Sequence, residues 1–143
     1  MLIAVLNRQA LQVLTASRIA EAGILLEHQH WTGAYYLTGL GVECALKACV
    51  ARAVQQHDLP NKEFINRAYT HNLRALSELD AALWLALNND ISTDTALREN
   101  WLTVWQWKDE KRYEEVSELE ARSLYSATTQ PVSGILEWIR RRW

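Results

Sequence analysis

The chain has 143 residues, of which 49% are hydrophobic and 22% charged, with a formal net charge of −2. That length sets one domain over residues 1–143, with room for a proper core. The near-neutral balance excludes a global basic field that would recruit nucleic acid, and leaves only a local patch for such contact.

Helical periodicity dominates the chain. The first predicted helix runs from about Arg8 to Glu27, with Leu11, Leu14, Ile19, Ala22 and Leu26 as its apolar face. The second, roughly Gly33 to Gln56, lies in the stretch WTGAYYLTGLGVECALKACVA. It carries Gly33, Gly39 and Gly41, each costing about 1 kcal/mol relative to Ala, a cost that close packing must recover. It ends before Asp58-Leu59-Pro60, and Asn61 is placed to cap a short turn or helix from Lys62 to Arg67. A third helix is expected from Asn72 to Leu87, broken by Asn88-Asn89-Asp90. Asp94 or Thr95 caps a fourth, from Ala96 to Trp107. A charged loop over residues 108–115 follows. A fifth helix is expected from Ser117 to Arg142, kinked near Pro131. No segment alternates as a strand does, so the class is all-α, an up-and-down bundle with short loops.

Cys44 and Cys49 are the only cysteines. Five apart on one helix, they point in different directions and suit no disulfide. No further ligands stand at metal spacing, so neither metal nor cofactor is expected. Free apolar cysteines fit a reducing cytoplasm. The N-terminal run MLIAVLNRQA shows no basic leader, and no apolar run approaches the roughly 20 residues that span a bilayer. Seven tryptophans are present; large buried area in a core or a dimer interface is their ordinary use.

Four segments carry a family resemblance. They are Ala34-Tyr35-Tyr36-Leu37 through Glu43-Cys44-Ala45-Leu46-Lys47-Ala48, then Thr70-His71-Asn72-Leu73, then Trp101 to Trp107 followed by Arg112-Tyr113, and finally Leu136-Glu137-Trp138-Ile139. In this order and spacing they resemble the HEPN family (higher eukaryotes and prokaryotes nucleotide-binding), over roughly Arg18 to Ile139. The resemblance implies a bundle of four to five helices, a homodimer, and a nucleotide- or RNA-binding module. It also implies a small nucleotidyltransferase as partner in a two-gene toxin–antitoxin or defence system. A subset of the family are metal-independent endoribonucleases, marked by Arg, four to six residues, then His.

The candidate ligand-binding residues are Glu43, Lys47, His71, Arg112 and Tyr113. Glu43 and Lys47, four apart with the acid first, share a helix face. They serve either as a structural pair between helices one and two or as a polar floor for a phosphate-bearing ligand. His71 either caps and packs or faces helix two as a site residue. Arg112 either pairs with nearby acids, such as Glu43, or contacts ligand. Arg52 and His57 match the endoribonuclease spacing as an alternative catalytic pair, although they fall at the end of helix two and Ala follows the Arg. Arg67 and His71 stand one residue too close. Tyr35 and Tyr36 read as core. Arg140-Arg141-Arg142 reads as a solvated helix end complementing the dipole, with a nucleic-acid contact as the other reading. A purely structural dimer or adaptor is the third functional expectation.

Overall fold

The structure is a computed structural model that describes residues 6–54 and 58–143. Among these residues it is all-α, with eight helices, one 3₁₀ turn and no strand. None of the helices is long and apolar enough to cross a membrane.

Helix α1 (Arg8–Glu27) starts on Asn7, whose side chain accepts from the Ala10 N–H at 2.8 Å. It buries Leu11, Thr15, Ile19, Ala22 and Leu26, a stripe of period 3.6. It ends in a Schellman closure. The His30 N–H donates to the Leu25 carbonyl and the Gln29 N–H to that of Leu26. Gln29 holds the left-handed conformation (φ 62°) that this closure requires.

Helix α2 (Trp31–Ala53) follows after only three residues, so the two lie as an antiparallel pair. It is the hub, packing also on three of the helices that follow it and on the later 3₁₀ turn. Two of its glycines admit neighbours to the backbone. A Cβ at Gly39 would fall inside the Trp107 indole, and one at Gly41 would meet Ile19. The cost of glycine in this helix is thus recovered by contact.

Helices α3 (Lys62–Ala68), α4 (Leu73–Leu79) and α5 (Ala81–Thr93) occupy the next stretch. Asn61 caps α3, as its sequence position suggests. The single helix expected from Asn72 to Leu87 is divided at Asp80. Asp80 adopts an extended backbone (ψ 116°) and its carboxylate caps Leu83 N–H. A short acid that bonds its own backbone favours a cap over a helix interior. The break expected at Asn88-Asn89-Asp90 does not occur. Asn88 Nδ2 donates to the Trp84 carbonyl, and Asp90 is drawn outward by Trp138 Nε1 and Arg142 at 2.8 and 2.9 Å. Their polar groups therefore do not compete with the helix.

Asp94 ends α5 and caps α6 (Thr95–Trp105), which stops two residues short of the expected Trp107. The charged loop holds a 3₁₀ turn, Asp109–Tyr113. Ser117 and Glu120 form a capping box that opens α7 (Glu118–Thr129). The expected fifth helix is severed rather than kinked. Pro131 and a turn closed by Gly134, whose Cβ would strike the Gln130 backbone, lead into α8 (Ile135–Arg140). Asp80 and the Pro131 turn each cut one long expected helix in two, which largely explains why eight helices replace four or five.

Three of the seven tryptophans are buried and the other four half-buried. Trp101, Trp107 and Trp138 are buried, and Trp84, Trp105, Trp101 and Trp138 form a chain with successive ring centroids 6.0, 5.5 and 5.6 Å apart.

Candidate functional site

Glu43 lies mid-way along α2 with its side chain only 8% exposed. A buried carboxylate is costly unless paired. Its Oε2 accepts from Lys47 Nζ at 3.2 Å, the spacing of one helical turn. Its Oε1 lies 2.6 Å from Nδ1 of His71, in the connection between α3 and α4. Both carboxylate oxygens are thus engaged, and His71 is oriented by a residue on the hub helix. With Nδ1 as donor to Glu43, Nε2 is left to act as acceptor or, when protonated, as donor.

His71 is not the cap of α4. That role falls to Asn72, whose side chain accepts from the Ala75 N–H, while Thr70 Oγ accepts from the Asn72 N–H. The Thr-His-Asn run therefore fixes its own backbone and frees the imidazole.

His71 lines a cleft of about 500 Å³ between this connection and the segment after α6. Tyr69, Trp105 and Lys108 complete much of its wall, with Asp109 and Glu110 at one side. Trp107 forms its buried base, its indole lying against Gly39. Trp105 Nε1 is anchored by Ser77 Oγ at 3.2 Å. Tyr69, by contrast, is strongly exposed. A second, apolar groove of about 280 Å³ adjoins, with Lys47 and Val50 on one wall and Phe64 and Ile65 on the other. Tyr69 borders both cavities.

Arg112 and Tyr113 stand apart from the Glu43 cluster. Arg112 pairs with Asp109 at 2.9 Å, not with Glu43, and donates to the Tyr113 hydroxyl at 3.0 Å. Those two contacts, Tyr113 first, raise its already high pKa. Its guanidinium also lies 5.7 Å from the Tyr36 ring centre, and Tyr36 stacks on Trp107. Of the five sequence candidates, the structure therefore brings Glu43, Lys47 and His71 together. Arg112 reaches the cleft only through Asp109.

Arg52 is exposed at the end of α2 and donates to the Arg142 carbonyl at 2.7 Å. It borders a different cavity, with Cys49, Asp80 and Arg142. His57, the other half of the alternative catalytic pair, lies outside the described residues. The basic C-terminal run is partly engaged: Arg142 binds Asp90 and lies 3.8 Å over the Trp138 ring, and Arg141 pairs with Glu137. Tyr35 is buried and Tyr36 half-buried. Burial pushes the Tyr35 hydroxyl pKa up, with Lys111 opposing.

Among the described residues, no three His, Cys, Asp or Glu side chains are grouped to hold a metal ion. Cys44 and Cys49 are free thiols. Sequence reasoning missed Tyr69, Trp105 and Lys108 as cleft residues. Their one signal was adjacency, since Tyr69 directly precedes Thr70-His71 and Lys108 closes the Trp-rich segment. No protein-family model, curated protein or solved structure matches the chain.

Proposed function

We propose that this chain is a HEPN-like module that binds a nucleotide or an RNA segment in the cleft beside His71. One observation carries the reading: a buried carboxylate, Glu43, spends one oxygen on orienting an imidazole at the rim of a polar cleft. Lys108 offers a cation to phosphate. The exposed Tyr69 ring offers a face on which a base can stack, a contact worth about 1–3 kcal/mol. Arg112, which the sequence offered for ligand contact, serves at the edge by holding Asp109. The family resemblance adds a small nucleotidyltransferase as the partner protein.

The test is thermal denaturation of the purified protein against mono-, di- and triphosphate nucleosides and short RNA. A ligand at 100 times its Kd adds about 2.7 kcal/mol, a rise of about 5–10 °C for a domain of this size. Tyr69→Ala, Lys108→Ala and His71→Ala should each abolish or shrink the rise. If nothing in the panel moves the transition, the reading fails.

A second reading rests on a specific feature of the same imidazole. A His oriented by a carboxylate through Nδ1, on a residue that lines a cleft, is an arrangement a general acid or base can use. In that reading His71, rather than the Arg52/His57 pair, drives cleavage of RNA without metal. Incubation with RNA in chelator, comparing the natural chain with His71→Ala, decides it; intact RNA in both cases removes this reading.

A further inference from the structure

Helix α3 makes its main contact with α4 rather than with α2, and none of its residues is fully buried. Its apolar side chains Phe64, Ile65 and Ala68 stay half-buried. With the last turns of α2 they line the groove of about 280 Å³. The α2 wall is Lys47, Val50, Ala51 and Val54, in steps of three, one and three, which is one helix face. Leu11 of α1, itself buried, lines the same groove. Ligand pockets run from about 300 to 1,000 Å³ and are mostly apolar with a few polar groups. This groove has that make-up at the small end of the range.

Two features narrow what fits. Among the described residues, Lys47 is the only charged side chain on the wall, and no acid lines it. Lys47 gives one hydrogen bond, to Glu43 at 3.2 Å, where an ammonium has three to give. Apart from the Tyr69 hydroxyl, no other side chain of the groove can hydrogen-bond. A peptide would bring amide groups that these side chains leave unanswered, at a desolvation cost. A hydrocarbon chain brings none. A cationic head would be repelled by Lys47, and an anionic one drawn to it. We propose that the groove binds an aliphatic monocarboxylate, with its carboxylate on Lys47 and its chain laid between the α2 and α3 walls. A water-sized group takes about 30 Å³, so the groove has room for a chain of about eight to ten carbons.

The bound head stands beside the Glu43 cluster. Lys47 holds one oxygen of Glu43, and His71 meets the other at 2.6 Å. A carboxylate on Lys47 therefore competes with Glu43 for the same ammonium, and the change reaches the His71 imidazole. The proposal does not rest on the reading of the cleft.

Isothermal titration calorimetry of the full chain with hexanoate, octanoate and decanoate tests it. Each added methylene that enters the groove should tighten Kd about three- to fourfold. Octanoate should bind about tenfold tighter than octanol, and octylammonium more weakly than either. Lys47→Met keeps the unbranched stem and should erase the difference between octanoate and octanol. Ala51→Phe leaves the Glu43 cluster intact, fills the groove, and should abolish binding of the acids; it decides the matter if Lys47→Met does not fold. The proton signals of the His71 imidazole should move as octanoate saturates the natural chain. No saturable binding of any of the three acids overturns the proposal. Octanol bound as tightly as octanoate overturns it too, since the surface is then merely apolar. So does octanoate affinity that survives Ala51→Phe, and so does saturation that leaves His71 unmoved, which would take the head off Lys47.

Discussion

His71 Nδ1 and Glu43 Oε1 lie 2.6 Å apart although 28 residues separate them in sequence. The contact ties the α3–α4 connection to the hub helix, and it does so from a carboxylate that is itself buried. The two ends are unequal. The His71 side chain is 56% exposed, so its loss returns a polar group to water; Glu43 is enclosed, and its loss strands Lys47. Glu43→Gln keeps an acceptor for His71 but removes the counter-charge, and should cost about 1–3 kcal/mol. His71→Ala should cost under about 1 kcal/mol. Urea unfolding of both variants and the double variant should return a coupling of about 0.5–1.5 kcal/mol. A coupling near zero would mean that the contact holds nothing.

Gln29 carries the positive φ of the α1–α2 turn, a conformation that costs a side-chain-bearing residue about 1–2 kcal/mol. Glycine is the usual occupant of this place in a Schellman closure. Gln29→Gly should therefore stabilise the protein by about 0.5–1 kcal/mol, net of the entropy glycine adds to the unfolded chain. The midpoint of thermal unfolding should rise by a few degrees, and a fall would show that the Gln29 side chain contributes something the turn geometry does not reveal.

Gly39 has the opposite character. Its φ is ordinary, but the Trp107 indole occupies the space a Cβ would need. Trp107 is a rigid, buried ring that also stacks on Tyr36 and floors the cleft. Gly39→Ala should lose about 1–3 kcal/mol through overpacking, despite the better helix propensity of alanine. The same substitution should shift the Trp107 fluorescence, because the ring must move. Unchanged stability would place the indole elsewhere.

These residues also show what the sequence could and could not disclose. The all-helical class and the limits of α1 followed from a clean 3.6-residue stripe. The Glu43–Lys47 pair followed from spacing on one helix. The Gly cluster in α2 announced close packing, but not that Trp107 would supply it, because that partner lies 68 positions away from Gly39. Local chemistry misled where tertiary partners act. Asn88, Asn89 and Asp90 look like a helix breaker until Trp138 and Arg142 are known to occupy Asp90. Asp80, conversely, sits inside an unbroken apolar rhythm and still caps. The site was half legible: the residues on one helix or beside a cap could be named, whereas the segment facing them across the cleft could not.

Cys49 offers a pH-dependent readout of the core beneath the Arg52 cavity. Burial pushes its thiol pKa up to about 12, against an ordinary 9.0. Cys44 is shifted in the same direction, again chiefly by burial. A folded-state pKa above the unfolded value means the native state favours the neutral thiol. The corresponding stability is fully present below pH 9 and is lost as pH rises from there towards 12. Between those limits the unfolded chain gains thiolate that the native chain refuses. Stability should therefore fall with rising pH across this window, and Cys49→Ala should show a shallower fall from a lower starting point. Alkylation gives the direct check. At pH 8 iodoacetamide should label Cys49 far more slowly in the native protein than in urea, since the thiolate is the nucleophile. Mass spectrometry of the Cys49 peptide measures the ratio. Equal rates in the two states would mean that this part of α2 opens to solvent, and the core contacts of Cys49 would have to be withdrawn.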